Sequence, residues 1–412
     1  MNGDPAARFD TLAVSHGEKP HQRTGDGSDV VSPIHLSSTF ALDGLDFGKS
    51  LEDFDPAAGE YLYTRLSNPT RHALERRLAA LEGGEHAFAF ASGTSAIATV
   101  ALSTLEPGDH VVAFDDLYAG TRRLFEQLLD ERLDIDVSFV DATDPDTVAA
   151  AITDRTRLVW METPTNPILR LCDVAAIAEA VPEKAVFGVD NTFASPAFQR
   201  PLELGADLVA HSTTKYLNGH SDSLGGAVVT DDDDVAEEIA FAQQVGLGNV
   251  LAPFDAYMVL RGTKTLPVRM DRHEANAIVV AEYLQDHEQV TTVHYPGLES
   301  HPQHDLAREQ MDGYGGVLSF ELDGSMEDAA AFLEALDEFE LAVSLGGVES
   351  LVELPAAMTH EPIPAERRRE IGIADTLIRI SVGLEAPADL LADLDRGFRA
   401  VEAGRRSAVA DD

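Results

Sequence analysis

Cysteine is almost missing from this chain of 412 residues. Cys172 stands alone, so no intrachain disulfide can form and a reducing compartment is expected. Positive charge is short as well. There are 72 acidic residues against 30 basic ones, a formal net charge of −42, and only five of the basic residues are lysine (Lys19, Lys49, Lys184, Lys215 and Lys264). A surface that negative repels phosphate backbones and anionic lipid, which excludes nucleic acid and membrane surfaces as main partners. A lysine-poor acidic surface stays hydrated in concentrated salt, where repulsion is screened within about 3 Å at 1 M. We read it as salt-adapted, the plainer alternative being an acidic protein without that adaptation. No apolar run reaches the length of about 18 residues that a membrane helix needs, and the opening MNGDPAARFD is too polar for a signal-peptide core. A cytoplasmic protein is expected.

Several chemical signatures are absent too. Gly246-Leu-Gly248 lacks the third glycine and the preceding strand of a dinucleotide fingerprint. The nearest approach to a nucleophile elbow, Gly219-His-Ser-Asp-Ser223, ends in serine. The run Asp231–Asp234 lacks the alternating oxygens of a calcium loop and reads as a solvated cap on the helix that follows. His301 and His304 have no third ligand nearby and read as a surface pair, and Cys172 as a small buried hydrophobe. No metal site is expected.

What is present is ordinary globular material: 44% hydrophobic and 25% charged residues, enough chain for two or three domains of about 150 residues. Residues 1–62 are rich in Gly, Pro, Ser and Asp with scattered apolar positions, and read as an extended N-terminal arm. Residues 71–82 (RHALERRLAALE) put Leu74, Leu78 and Leu81 on one helical face, which Gly83-Gly84 stops. Short apolar runs then alternate with helical periods: HAFAF (86–90), HVVAF (110–114), IDVSFV (135–140), RLVWME (157–162), AVFGVD (185–190), ADLVAHS (206–212) and GGAVVT (225–230). That alternation predicts βαβ units around a buried, mostly parallel sheet. A helical stretch over 255–290, interrupted at Pro267, leads to strands VTTVHY, GGVLSFEL and LAVSL mixed with helices near 326–336 and 387–404. The fold expected is α/β, with a large mostly parallel sheet domain over 63–255 and a smaller α+β domain over 256–412.

One set of segments adds up to chemistry. ASGTSAIAT (91–99) follows a strand and opens a helix, so the N–H groups of Gly93 and Thr94 point at whatever lies there. A phosphate suits a helix N-terminus, and a tight turn would explain the glycine equally well. VDNTF (189–193) puts Asp190 at the carboxyl end of a strand, where α/β sheets bind ligands. HSTTKYLNGHSDSLGG (211–226) puts Ser212, Thr214 and Lys215 at the end of the next. A carboxylate and a lysine on successive strands beside a phosphate cradle match pyridoxal 5'-phosphate (PLP), which takes a Schiff-base lysine and an acid against its pyridine nitrogen.

From about residue 9 onward the chain resembles the PLP-dependent enzymes of cysteine and methionine metabolism, the cystathionine γ-synthase/γ-lyase family. The segments that carry the resemblance include YTRLSNPTR (63–71), FASGTSAI (90–97), DDLYAGT (115–121), ETPTNP (162–167), HSTTKYLNGHSD (211–222), RGTKTLPVRM (261–270), SLGGVESL (344–351) and DTLIRISVGLE (375–385). The resemblance implies the type I fold of PLP-dependent transferases. It implies Lys215 as the Schiff-base lysine and mover of protons, Asp190 against the pyridinium, and Tyr118 stacked on the ring and serving the leaving group. Asn166 would lie near the cofactor's phenolic oxygen and the substrate carboxylate, with Gly93, Thr94, Ser212 and Thr214 on the phosphate. Tyr63 and Arg65 would reach the cofactor phosphate of a neighbouring subunit, making the enzyme a homo-oligomer, expected as a tetramer whose N-terminal arm touches the neighbour. Arg379 would take the substrate's α-carboxylate, and Ser344 and Glu349 would line the specificity pocket.

The activity implied is trans-sulfuration at Cγ of cystathionine or of an activated homoserine, with O-acylhomoserine sulfhydrylase as the alternative. A non-enzymatic reading is an inactive scaffold or ligand binder on the same fold. Gly120 stands where methionine γ-lyases carry a cysteine, and GGVES replaces that subgroup's pattern. Leu62 stands where many relatives carry an acidic residue before the tyrosine of the YxR motif, so synthase, lyase and sulfhydrylase stay unseparated.

Overall fold

The structure, a computed structural model, describes residues 8–18, 29–42, 44, 54–361 and 363–411, with side chains to 406. Its larger sheet is built from β1 (His86–Phe90), β2 (His110–Phe114), β3 (Asp136–Val140), β4 (Thr156–Glu162), β5 (Val186–Asp190), β6 (Leu208–His211) and β7 (Gly226–Thr230). The spatial order is β1-β7-β6-β5-β4-β2-β3. Strands β2 to β6 are parallel, and β7 runs against both of its neighbours. Each apolar run read from the sequence is one of these strands. β2, β6 and β7 are buried along their whole length, as continuous apolar runs covered on both faces require.

Helix Pro69–Glu82 shows how local sequence sets an element. The Asn68 side chain accepts from the N–H groups of Thr70 and Arg71, Pro69 occupies the first turn, and Gly83 ends the helix at φ +80°. Its Leu74, Leu78 and Leu81 are buried and belong to a core shared with Val229, Val259 and Met270. A second core gathers Phe114, Trp160 and Phe187 with Val100 and Leu129. The helical stretch after β7 breaks at Lys264–Thr265 into Pro253–Thr263 and Leu266–Gln285, with Pro267 in the first turn of the second helix. The expected domain boundary at 255/256 falls inside the first of these helices.

The smaller sheet contains β8 (Val290–His294), β9 (Val317–Leu322), β10 (Glu340–Leu341), β11 (Leu351–Glu353) and β12 (Leu377–Ser381), in the order β10-β11-β12-β9-β8. Phe320, Phe332, Ile380 and Phe398 form its core. The sequence reading had no strand at β11 or β12, because a charged residue interrupts each: Glu353 ends the first and Arg379 centres the second. LAVSL, expected as a strand, pairs only as far as Leu341 and then turns away, with Ser344 at φ +103°.

Two further expectations are corrected. The arm is not wholly extended: Phe9–Ser15 is a helix with Ala13 buried, because Phe9, Leu12 and Ala13 pack on the Leu74 core. Buried Arg77 holds this segment through the carbonyls of Val14 and His16 and the Glu18 carboxylate. The HPQH histidines are not a surface pair: His301 is buried, accepting from Gln303 N, and His304 stacks on Tyr314. Cys172 is buried. Asp232 caps the helix after the acidic run through the N–H groups of Asp234 and Val235. Among the described residues no helix is long and apolar enough to cross a membrane.

Candidate active site

The parallel strands β4, β5 and β6 deliver Glu162, Asp190 and His211 as their last residues, with Glu162 paired to Asp190 in register. A cavity of about 300 Å³ opens at this edge. One wall is the start of helix Gly93–Thr104. Ser92 caps it by accepting from Ser95 N, and the first-turn N–H groups of Gly93 and Thr94 have no acceptor within the helix. A Cβ on Gly93 would stand 3.0 Å from Ser212 Cβ, so glycine lets this turn approach the loop after β6. Ser212 and Thr214 complete that end of the cavity.

Two acids share the floor. Asp190 Oδ1 accepts from Thr192 N (3.1 Å) and Thr192 Oγ1 (2.5 Å), while Ser212 N donates to Thr192 Oγ1 at 2.8 Å. Burial raises the Asp190 carboxyl above its ordinary range, and the Thr192 hydrogen bonds and the charge of His211 oppose the rise. Glu162 is pushed up further, by burial first and then by the charge of Asp190, although its Oε2 accepts from Tyr118 N at 2.7 Å. Two adjacent carboxyls in a low dielectric do not both ionise readily. Both Thr192 hydrogen bonds fall on Asp190 Oδ1 and oppose its rise, whereas the charge of Asp190 adds to the rise of Glu162.

The opposite wall comes from the smaller sheet. Arg379 Nη1 donates to Asn166 Oδ1 at 2.8 Å and pairs with Glu353 Oε1 at 3.0 Å, and Nη2 donates to the Ser344 carbonyl at 2.6 Å. Arg379 Nε is buried without a partner among the described residues. Lys215 Nζ donates to Ser344 Oγ at 2.6 Å. Burial, helped by the Arg379 charge and opposed by Glu353, lowers its ammonium to about 8.

The cavity therefore gathers Lys215, Asp190, Tyr118, Gly93, Thr94, Ser212, Thr214, Asn166, Arg379 and Ser344. Three residues named from the sequence lie outside its wall. Tyr63 is 43% exposed, Arg65 donates to the Gln244 carbonyl, and Glu349 is exposed with its Oε2 accepting from Ser221 Oγ at 3.1 Å. The sequence reading missed Glu162, Glu353 and Thr192. Glu162 was findable, since it ends an apolar run just as Asp190 does. Glu353 was not, because only the β11–β12 register sets it opposite Arg379.

A helix N-terminus for a phosphate, an acid, an amine of lowered pKa and an arginine fork are the donor set that PLP with an amino acid requires, so the residues present fit that cofactor. Comparison with known proteins agrees. A cystathionine β-lyase from Coxiella burnetii is 48% identical over 96% of this chain and 98% of its own length. A cystathionine γ-synthase from Mycobacterium bovis is 49% identical over 94% of this chain and 96% of its own. The crystal structure of cystathionine γ-lyase from Lactobacillus plantarum complexed with L-serine superposes with a TM-score of 0.88 at 42% identity, covering 96% of this chain and all of that one. The family model for Cys/Met metabolism PLP-dependent enzymes matches residues 10–399, and this chain belongs to that family.

Proposed function

We propose that this chain is a PLP-dependent trans-sulfuration enzyme working at Cγ of cystathionine or of an activated homoserine. The observation that carries the reading is the single cavity in which Lys215, Asp190 and the Gly93–Thr94 turn face Arg379 and Asn166. Gly93, Thr94, Ser212 and Thr214 would hold the cofactor phosphate, Asp190 its ring nitrogen, Tyr118 its ring face and Lys215 its aldehyde carbon. Bound there, PLP supplies an electron sink for the pair released when the substrate's Cα–H bond breaks. Arg379 and Asn166 bind the α-carboxylate and so fix the direction of that bond. Lys215, its amine largely neutral above pH 8, takes the proton from Cα and then one from Cβ, which chemistry at Cγ requires. Tyr118, 45% exposed on the cavity wall, delivers a proton to the departing group. Gly120 stands where methionine γ-lyases carry a cysteine, and a Cβ there would stand 2.3 Å from Tyr118 Cε1, so any side chain at this position would require the ring to move.

Product analysis on the purified holoenzyme tests the reading. Cystathionine alone giving cysteine, 2-oxobutanoate and ammonia marks elimination at Cγ. Cystathionine formed from an activated homoserine and cysteine marks replacement at Cγ, and homocysteine formed with sulfide marks a sulfhydrylase. Pyruvate and homocysteine from cystathionine would move the chemistry to Cβ and overturn it, an arm made necessary by the name of the Coxiella relative.

We also infer a salt-adapted homotetramer of a reducing, cytoplasmic compartment, with sites shared between subunits. Exposed Tyr63, Arg65 outside its own cavity, the lone thiol and the net charge of −42 support this. Dilute buffer is expected to dissociate the assembly and release PLP together, because unscreened like charges reach across about 30 Å at 0.01 M salt. Sedimentation and cofactor absorbance across a salt series check it. An intact yellow oligomer at low salt would count against the adaptation.

A further inference from the structure

Behind Asp190, on the far face of the larger sheet, lies a buried polar cluster that the cavity chemistry does not use. Successive strand residues point to opposite faces, so Asn191 looks away from the cavity. Its Nδ2 donates to Glu82 Oε1 at 3.1 Å and to the Gln199 carbonyl at 2.7 Å. Glu82, the last residue of helix Pro69–Glu82, also meets His211 Nε2 through Oε1. The side chains of His211 and Glu82 are 2% and 1% exposed. Gln199 Nε2 donates to Asn191 Oδ1 and to the carbonyl of Thr163, the start of the loop that carries Asn166. Glu82 Oε2 is buried and unpartnered among the described residues. An apolar pair of similar volume would fill this layer with less desolvation. The Glu82–His211 pair instead closes the end of β6, the neighbour of the strand that carries Asp190, whose carboxyl is raised by burial, a rise that His211 opposes.

We propose that Glu82 and His211 are positioning residues for Asp190: Glu82 keeps the imidazole protonated, and that cation keeps Asp190 ionised, so that a bound cofactor's ring nitrogen stays protonated. The inference rests on the PLP reading of the cavity. On the cavity side Glu162 from β4 pairs in register with Asp190, Asp116 after β2 acts on Glu162, and Lys215 and Arg379 line the same cavity. On the back face, among the described residues, the titratable groups of the cluster are Glu82 from the helix and His211 from β6.

The test is the ¹⁵N resonance of ring-labelled PLP, followed across pH in wild type, His211→Gln, Glu82→Gln and Glu82→Asp holoenzymes. In both glutamine variants the ring nitrogen is expected to lose its proton at least about one pH unit below wild type, with Glu82→Asp close to wild type. A wild-type profile in His211→Gln would overturn the proposal and leave the pair as core filling. Should the variants not fold, the histidine ¹⁵N spectrum of the wild-type protein decides: a neutral His211 imidazole at pH 7 overturns it, a doubly protonated one supports it. If the wild type itself takes up no label, no ring resonance is seen, and the PLP reading falls together with this inference.

Discussion

The two sheets meet at one cavity and bring different kinds of group to it. The larger sheet presents residues fixed by backbone: Asp190 ends a buried strand, Gly93 and Thr94 open a capped helix, and Lys215 follows β6 in a tight turn whose Gly219 N–H bonds back to its carbonyl. The smaller sheet presents side chains held by other side chains. Arg379 is fixed by Glu353, Asn166 and the Ser344 carbonyl. Its neighbouring loop carries Ser344 in the left-handed region and Val343 54% exposed. On the proposed reading the cofactor end is held by backbone geometry and the substrate end by side-chain contacts, which lets the substrate end vary by substitution while the cofactor end is kept.

The sharpest break in that comparison comes from the larger sheet. Lys215→Ala is expected to lower turnover by about 10³-fold or more while leaving the fold intact, because on the proposed reading one amine would both bind the cofactor and move the protons. Borohydride should then fix no label to the chain. Residual turnover above about one per cent would show that another group moves the protons.

Arg379→Lys probes the other sheet. It keeps the charge, and hence a partner for buried Glu353, but loses the planar fork. KM for the amino acid is expected to rise about 10- to 100-fold, the range of a lost charged hydrogen bond, with cofactor absorbance and affinity unchanged. Loss of PLP in this variant would erase the division between the sheets.

How much of this was legible in the sequence differs between the same two regions. HVVAF coincides with β2 because a strand buried on both faces is a contiguous apolar run, and HAFAF marks the edge strand β1, whose last two residues are buried. Asp190 was legible because it is a charged residue ending such a run, and Lys215 because it is a rare lysine in the loop that follows the next one. β11 and β12 were not, since three- and five-residue strands broken by Glu353 and Arg379 have no period to detect. Arg379 came from motif resemblance alone. The Glu82–His211 contact joins residues far apart in sequence across a helix–sheet interface, and no local pattern announces it.

A third expectation links the regions through charge. Lys215 is lowered to about 8 by burial and then by Arg379. On the proposed reading Lys215 would hold the cofactor through its neutral amine, so the rate at which apoenzyme takes up PLP should rise as pH increases through about 8, roughly tenfold between pH 7 and 9. Arg379→Gln removes a repelling cation, favours the ammonium and shifts the midpoint upward. A stopped-flow record of the visible band at each pH measures this, and a midpoint unmoved by Arg379→Gln would mean that burial alone sets the amine.

The smallest effect is expected at Glu349. It lies in the substrate region by sequence, yet its side chain is exposed and among the described residues its Oε2 meets only the Ser221 hydroxyl, at 3.1 Å. An exposed hydrogen bond to water-accessible groups is readily replaced by solvent, so losing the charge there removes little. Glu349→Gln should leave the cofactor spectrum and kcat unchanged and alter KM for cystathionine by no more than about threefold, a ratio on the scale of a weak surface ion pair. Steady-state kinetics at two salt concentrations separates the contributions, since a long-range effect of an exposed charge shrinks as salt rises. A tenfold rise in KM that persists in molar salt would mean that this carboxylate meets the substrate directly once subunits assemble, and the substrate region would then extend past the cavity wall seen in the single chain.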